Sequence, residues 1–403
     1  MSSEGLVVGV RPVTSQELRG VLILSLGFGL VGIDRFLIST MYPTIAHELH
    51  LGYGDIGKIT GALAFAWGLA ALFMGNTADR VGQQRVLVAS LIAFSLLIGL
   101  SGLANGLAGL IAVRLMMGFA DGAFTPASIA ATIKLSPAER HGRNVGFQQT
   151  MLVLFGLGLS PLLVGALLGR GVDWRYIFSI FLVPGLTVAW LTKRWVPGSI
   201  PTQRRADVGD WLAVLRHRNI RLAMPGMLCW LTCLITTSAF LPSYLTSHLK
   251  LDSDAMGHVM SAIGFGAMTG TIVLSALSDY IGRRPVMLIS SAGALSTLAL
   301  LGFVGPHATA LFACLFTIHF FNNALITMTV GPIAAESVPP ALMTTASGLI
   351  IAFGELLGGG LAPIIGGQVA ERFGIEHILI LPIAMMAIGV VLSACLRETR
   401  ERR

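Results

Sequence analysis

Twelve apolar runs, each long enough to cross a bilayer as a helix, leave this chain few ways to fold. Their centres fall near Gly32, Trp67, Phe94, Asp121, Phe155, Val183, Ile235, Ala267, Leu295, Phe320, Glu355 and Met386. A helical span needs about twenty consecutive apolar residues, and none of these runs alternates with period two as a barrel strand would. Composition agrees: of 403 residues, 54% are hydrophobic and 12% charged, too apolar for an ordinary soluble domain. The expected fold class is an all-α membrane protein of twelve transmembrane helices.

Lys and Arg set the orientation. With both termini cytoplasmic, twenty of them fall on the cytoplasmic side and five on the outer side (Lys58, Arg170, Arg175, Lys250 and Arg372). That bias predicts a multi-pass protein of the cytoplasmic (inner) membrane. The formal charge of +7 then belongs to loops near anionic lipid, so a nucleic-acid partner is not expected. The first twenty residues lack the pattern of a removable signal peptide, and the first span is read as the insertion signal. Cys229, Cys233, Cys314 and Cys395 lie in apolar segments and read as buried free thiols. With no further Cys or His at ligand spacing, no metal is expected.

A repeat organises the chain. Asp79-Arg-Val-Gly82-Gln-Gln-Arg85 answers to Asp279-Tyr-Ile-Gly282-Arg283-Arg284 at an offset of 200, and the stretch Gly156 to Gly165 around Pro161 answers to Gly358 to Gly367 around Pro363 at an offset of 202. Two six-helix halves follow, at residues 20–192 and 220–396. A cytoplasmic segment (1–19) precedes them, a basic cytoplasmic tail (397–403) ends the chain, and a basic cytoplasmic linker (193–219) joins them, with a short surface helix around Trp211 to Leu215. Two motifs of soluble enzymes are set aside. Gly52 to Lys58 begins like a phosphate-binding loop but continues with Ile59 and follows no strand. Gly27-x-Gly29-x-x-Gly32 has dinucleotide spacing inside the first span, where small residues let helices approach. No cofactor is expected.

The loop with Asp79, Arg80, Gly82 and Arg85 has two readings. It is a tight turn, with Gly82 at positive φ and Asp79 capping the next helix. It is also a latch that holds helix ends together in one conformation and releases them in another, and the second copy at Asp279, Gly282 and Arg283 favours the latch. The pattern Gly-x-x-x-Asp-Arg-x-Gly, its copy, Arg114-x-x-x-Gly118 and the two-half organisation resemble the major facilitator superfamily over essentially the whole chain. That resemblance implies two bundles rocking about a central site, with no chemistry on the cargo.

Five ionised side chains fall inside spans: Asp34 and Arg35 in the first, Arg114 and Asp121 in the fourth, Glu355 in the eleventh. Asp34, Arg35, Asp121 and Glu355 lie near the midpoints, where transporters place substrate and coupling-ion sites. Packing ion pairs are the plain alternative, but buried pairs gain little over apolar replacements. A desolvated acid can take a proton while Arg stays charged, so the acids are read as proton carriers and an arginine as an anion holder. Three acids and two arginines leave one excess negative charge, and a monoanionic cargo makes two. One to two protons are therefore expected to travel with the substrate.

At these residues the chain is similar to the anion:cation symporter branch, which includes proton-coupled importers of sugar acids and other organic anions. The likeness is carried by Gly32-Ile-Asp34-Arg35-x-x-x-Ser39, Arg114-x-x-x-Gly118-x-x-Asp121 and Ser347-Gly348 with Gly354-Glu355. It implies that Arg35 contacts the substrate carboxylate, with Asp34 and Asp121 as the protonated pair and Arg114 as their partner. The chain departs from the branch in having Gly32 for a common Tyr, Asp121 for Glu, and Glu355 near a usual Asn. The first and third line the expected pocket, which leaves room for a cargo other than the familiar sugar acids, and Glu355 is read as an extra proton site or a hydrogen-bonding replacement.

Ser39, Tyr244, Asn322 and Asn323 complete the expected substrate site, with His319 and Trp67 as weaker candidates. The rivals are a drug or metabolite antiporter of the same fold, an anion exchanger, a transporter-like sensor and an intramembrane enzyme. Ser160 and Val164 break the glycine-proline pattern common in such exporters, no appended domain could signal, and no nucleophile with a base is present. The expected protein is a monomeric, non-enzymatic importer of a small organic anion with protons, working in the lipid bilayer.

Overall fold

Thr14 opens the first long helix by accepting a hydrogen bond from the Glu17 N–H at 3.1 Å, the usual service of an N-cap hydroxyl. In this computed structural model the described residues are 14–198 and 208–399, excepting the side chains of residues 72, 73, 75–80, 138, 208–210 and 341. They form helices and turns without a strand. The long helices are α1 (Ser15–Leu49), α2 (Tyr53–Val81), α3 (Gln83–Ser101), α4 (Leu107–Leu135), α5 (His141–Gly169) and α6 (Trp174–Trp195), then α7 (Arg218–His248), α8 (Ser253–Ile281), α9 (Arg283–Leu301), α10 (Ala308–Glu336), α11 (Met343–Phe373) and α12 (Ile375–Cys395). Each contains one of the twelve expected centres. The short helix Val208–Leu215 lies between α6 and α7, as expected around Trp211, and α6 itself extends through Lys193 and Arg194 to Trp195.

The repeat has a conformational signature. Gly82 and Gly282 break α2 from α3 and α8 from α9 with φ of 99° and 105°, a region that L side chains avoid. Widened π-helical turns occupy Leu154–Leu159 of α5 and Gly354–Leu361 of α11. Each runs up to a repeat-related proline, Pro161 or Pro363, whose missing N–H cannot serve the preceding turn. Burial follows the repeat too. The central windows of α1 and α7 are 83% buried, against 33–56% for the other spans scored. Thus α1 and α7 are interior helices, and the remaining ones present Leu100, Val183, Trp190, Phe303 and similar side chains outward, as a helix facing lipid does.

The two halves touch through bare backbone. Along α2 and α11, a Cβ on Gly57 would strike the Pro363 carbonyl and one on Gly61 would stand 2.6 Å from the Gly360 oxygen; along α5 and α8, Gly165 meets Ser253 and Gly257, and Gly158 meets Gly264. Small residues allow such close helix crossings without hydrophobic driving force from the lipid. Glu371 of α11 also accepts the Gly54 N–H at 2.9 Å, placing a carboxylate at the N-terminus of the opposing α2, where the exposed amides favour it. All these contacts lie toward the side away from the chain ends. On the chain-end side, Gly142 and Gly146 of α5 and Gly331 and Gly348 of α10 and α11 have nothing within 4 Å of a Cβ position. Among the described residues, the backbone-to-backbone crossings between the halves thus lie on the far side.

On the chain-end side each half is tied to itself. The Arg140 guanidinium grips Glu17 through Nε (2.8 Å) and Nη2 (2.6 Å), and Asn144 donates to Glu17 at 3.0 Å and to Ser136 at 2.8 Å. This network fixes the start of α1 to the α4–α5 connection. In the second half Arg283 pairs with Asp279 at 2.6 Å and with Glu336 of α10 at 2.9 Å, while Glu398 accepts the backbone N–H groups of Arg283 and Arg284 at 2.9 and 3.1 Å. Replacing Gly57 by Leu is expected to leave a folded protein that cannot close its far side. A cysteine reporter at the start of α2 should then react at least about tenfold faster with a membrane-impermeant thiol reagent; unchanged reactivity would show that this crossing does not seal the far side.

Candidate functional site

Arg35 reaches from α1 of the first half to α11 of the second. Its Nη1 donates to Glu355 Oε1 at 3.1 Å and its Nη2 to Oε2 at 2.7 Å, the paired geometry in which a guanidinium binds a carboxylate most strongly. Trp67 of α2 lies under the guanidinium, 4.4 Å from its carbon, and a desolvated cation over an indole face gains further attraction. Glu355 stands in the widened turn of α11. A Cβ on Gly359 would come within 2.7 Å of Glu355 Oε2, so the bare Gly359 backbone gives the carboxylate its place beside Arg35.

A second charge cluster is buried in the first half. Arg114 of α4 donates through Nη1 to the Asp34 carbonyl at 2.6 Å, and the same nitrogen stands 4.0 Å from Asp34 Oδ1. Asp121 stands two turns along α4 from Arg114, and like Asp34 it is fully buried. Neither acid receives an N–H or O–H from any described residue, and Arg114 Nε and Nη2 are without partners. One proton would bring the three groups to neutrality, because a single remaining negative charge would balance Arg114.

Between the clusters lies a cavity of about 10 Å³, room for about one water, bordered by Arg35, Ser39, Thr60 and Arg114 of the first half and by Ser238 of α7 in the second. The Thr60 and Ser238 hydroxyls donate back to their own helices at Ile56 (2.8 Å) and Ile235 (3.1 Å). The Ser39 hydroxyl is buried without a partner. Arg35, Ser39 and Arg114 therefore meet at one cavity, and Glu355 joins them through Arg35.

Other expected site residues point elsewhere. Tyr244 stacks on His248 near the far end of α7, with ring centroids 5.1 Å apart. Asn322 donates to the Trp230 carbonyl at 3.2 Å, and Asn323 donates to Thr271 at 2.7 Å. Both contacts stay inside the second half, so these three are not brought to Arg35. His319 faces the Thr237 hydroxyl at 3.2 Å in the same interior. Of the cysteines, Cys229, Cys233 and Cys314 are buried as expected, but Cys395 at the end of α12 is exposed. At the latch, Asp279, Gly282 and Arg283 come together. Gly82 has its positive φ and Arg85 is exposed, while the side chains of Asp79 and Arg80 lie outside the described residues. Sequence reasoning missed Thr60 and Ser238, isolated small polar residues in apolar runs. It also missed Glu336 and Glu398, whose partners are remote in sequence.

A two-half helical membrane protein with paired charges buried where its halves meet is a transporter by class. The sequence profile of the Major Facilitator Superfamily matches residues 24–351 and 235–403, and the chain belongs to that superfamily. It is 25% identical to the sialic acid transporter of Escherichia coli (strain K12), covering 91% of each chain. It is 22% identical to the D-galactonate transporter of Escherichia coli O6:H1 (strain CFT073), covering 89% of this chain and 90% of that one. A multidrug resistance efflux pump PmrA homolog of Lactococcus lactis is 25% identical over 67% of this chain and 69% of its own. Among solved structures, a bacterial homolog of the human lysosomal transporter Spinster, inward-facing and unoccupied, matches 95% of this chain and 97% of its own with a TM-score of 0.78 at 16% identity, a likeness of fold.

Arg114→Met should destabilise the protein by about 3–5 kcal/mol, because it strands buried acids without their cation. Adding Asp34→Asn should restore part of that loss. Unfolding in detergent measures both, and equal stability of the single and double variants would show that Asp34 and Arg114 are not coupled.

Proposed function

We propose that this protein imports a small organic anion, a carboxylate or sugar acid, together with protons, by alternating access. The observation that carries the reading is Arg35. It is a permanently charged, forked donor at the cavity wall, already engaged with a carboxylate, and a planar two-oxygen anion is the ligand that such a fork fits. The relatives named for sialic acid and D-galactonate support the class, since both compounds are carboxylates. Proton coupling rests on charge balance: the Asp34, Asp121 and Arg114 cluster is neutral with one proton, and a further anion entering beside Glu355 calls for another. With the termini cytoplasmic, as the Lys and Arg bias argues, the glycine crossings between the halves lie toward the outside, and inward-driven protons would bring the cargo in.

Reconstituted protein given an acidic exterior should accumulate D-galactonate or sialic acid, and a protonophore should abolish the accumulation. Arg35→Lys should weaken binding by at least about tenfold, since it keeps the charge and loses the fork. Accumulation that ignores the proton gradient and follows an opposing anion gradient would make the protein an exchanger. Acid-driven extrusion of hydrophobic cations without carboxylate uptake would make it an efflux pump.

The cluster of Asp279, Arg283 and Glu336, with its repeat partner at Asp79, is read as a control on conformational exchange. It lies at helix ends away from the cavity, so it need not touch cargo. Asp279→Asn is expected to slow transport several-fold while changing equilibrium binding by less than about twofold. A large loss of binding in the folded variant would contradict this role.

A further inference from the structure

We infer that Glu355 is a built-in competitor of the substrate: its carboxylate occupies the Arg35 fork in the empty carrier, and an anionic substrate binds by displacing it. The inference rests on the reading of the cargo as a carboxylate and assigns Glu355 a definite place in binding. Both guanidinium nitrogens that would meet a substrate carboxylate are spent on Glu355, at 3.1 and 2.7 Å. The pair is buried, at 8% and 7% side-chain exposure, so a second anion cannot be accommodated through solvent screening. It also joins the two halves, so its rupture is felt by both.

The surroundings show what happens to the displaced acid. The segment carrying Glu355 packs on α2 and α7. From α2 come Ala64 and Gly68, and from α7 come Met227, Leu228 and Leu231. None of these can hold a carboxylate. Arg35 on α1 is the charged group that faces Glu355 among the described residues, and behind it stand Asp34 on α1 with Arg114 and Asp121 on α4, whose charges already balance with one proton. Arg114, the other cation at the cavity, is already set against Asp34 and Asp121, so a carboxylate released from Arg35 leaves one negative charge uncompensated in this seam, and the inference places a proton on it. Each substrate anion that enters the fork is thereby matched by one proton on Glu355, and each departure returns Glu355 to Arg35. The empty carrier crosses between its states without net charge in the seam, and so does the loaded one.

Two variants separate displacement from a mere field effect. Glu355→Gln removes the competitor and one negative charge. Gly359→Ala keeps every charge but sets a methyl 2.7 Å from Glu355 Oε2, crowding the carboxylate off the fork. Full-length protein in lipid nanodiscs is titrated with D-galactonate, and then with sialic acid, by calorimetry in buffers of different ionisation enthalpy, which counts protons taken up on binding. If the bridge is closed in nine-tenths or more of the empty carriers, its removal tightens binding at least about tenfold. Glu355→Gln should therefore bind at least about tenfold more tightly than wild type with one proton fewer, and Gly359→Ala should bind several-fold more tightly. Wild-type binding that depends on Arg35 but is unchanged or weakened in Glu355→Gln overturns this inference and leaves the carboxylate reading standing. Tightening in Glu355→Gln with no change in Gly359→Ala and no lost proton reduces Glu355 to a through-space charge and also overturns it. No heat from either acid in wild type and Glu355→Gln alike removes the carboxylate reading, and the inference with it.

Discussion

A charge at the middle of a membrane protein must find its opposite, and much of this structure is arranged around that demand. Insertion scales put an isolated charge at a helix centre at about 3 kcal/mol, and simulations put it above 10. Five such charges left unpaired would exceed the whole stability of an ordinary fold, about 5–15 kcal/mol. The chain answers with two separate sets. Arg35 and Glu355 cancel across the halves at 2.7 Å, and Arg114 stands against Asp34 and Asp121 inside the first half, a set that one proton would make neutral. The division matters because the first set spans the two halves, whereas the second lies within one of them.

Keeping the first set closed requires the halves to come very near, and glycine makes that possible. At Gly57, Gly61, Gly158 and Gly165 the opposing helices meet at backbone distance, closer than any side chain would allow. The widened turns before Pro161 and Pro363 lie on the same helices. In α11 this turn also carries Glu355, so the irregularity that relieves the proline sits where a carboxylate is presented to Arg35. Fold and site share one device here.

The spans, the repeat and the Gly82 and Gly282 breaks were legible because each is a local property of the sequence: a run of apolar residues, a fixed offset, a turn that needs positive φ. The charges at Asp34, Arg35, Arg114, Asp121 and Glu355 were legible as improbable residues in apolar surroundings. Their partners were not equally so. Arg35 and Glu355 are 320 positions apart, and their meeting depends on how α11 is rotated, which the sequence pattern does not state. The same ambiguity misdirected Asn322 and Asn323: adjacent residues on a helix point about 100° apart, and here both directions lead into the second half. Asp34 and Asp121 could be paired in advance through the superfamily's motifs, but the bond from Arg114 to the Asp34 carbonyl could not.

Gly32 shows how one such detail shapes the site. A Cβ there would collide with the Leu152 carbonyl of α5, and Gly156 packs back against Gly32 from the other side. α1 and α5 are therefore in backbone contact within one helical turn of Asp34 and Arg35. A chain of the same superfamily with a tyrosine at this position must hold these helices apart, and its ring would occupy space beside the charged pair. Here that ring is absent and the space it would need is closed by α5. The Arg35 fork is instead framed by Trp67 on one side and Glu355 in front, so the group that shapes this binding place is an acid with a charge of its own, where an aromatic or amide side chain would present none. A pocket walled by a neutral ring can hold its cargo without changing protonation. A pocket walled by a carboxylate on the binding arginine cannot, because two anions in one low-dielectric fork leave one charge uncompensated. On the proposed reading, recognition of an anion and movement of a proton would therefore fall on the same pair of residues.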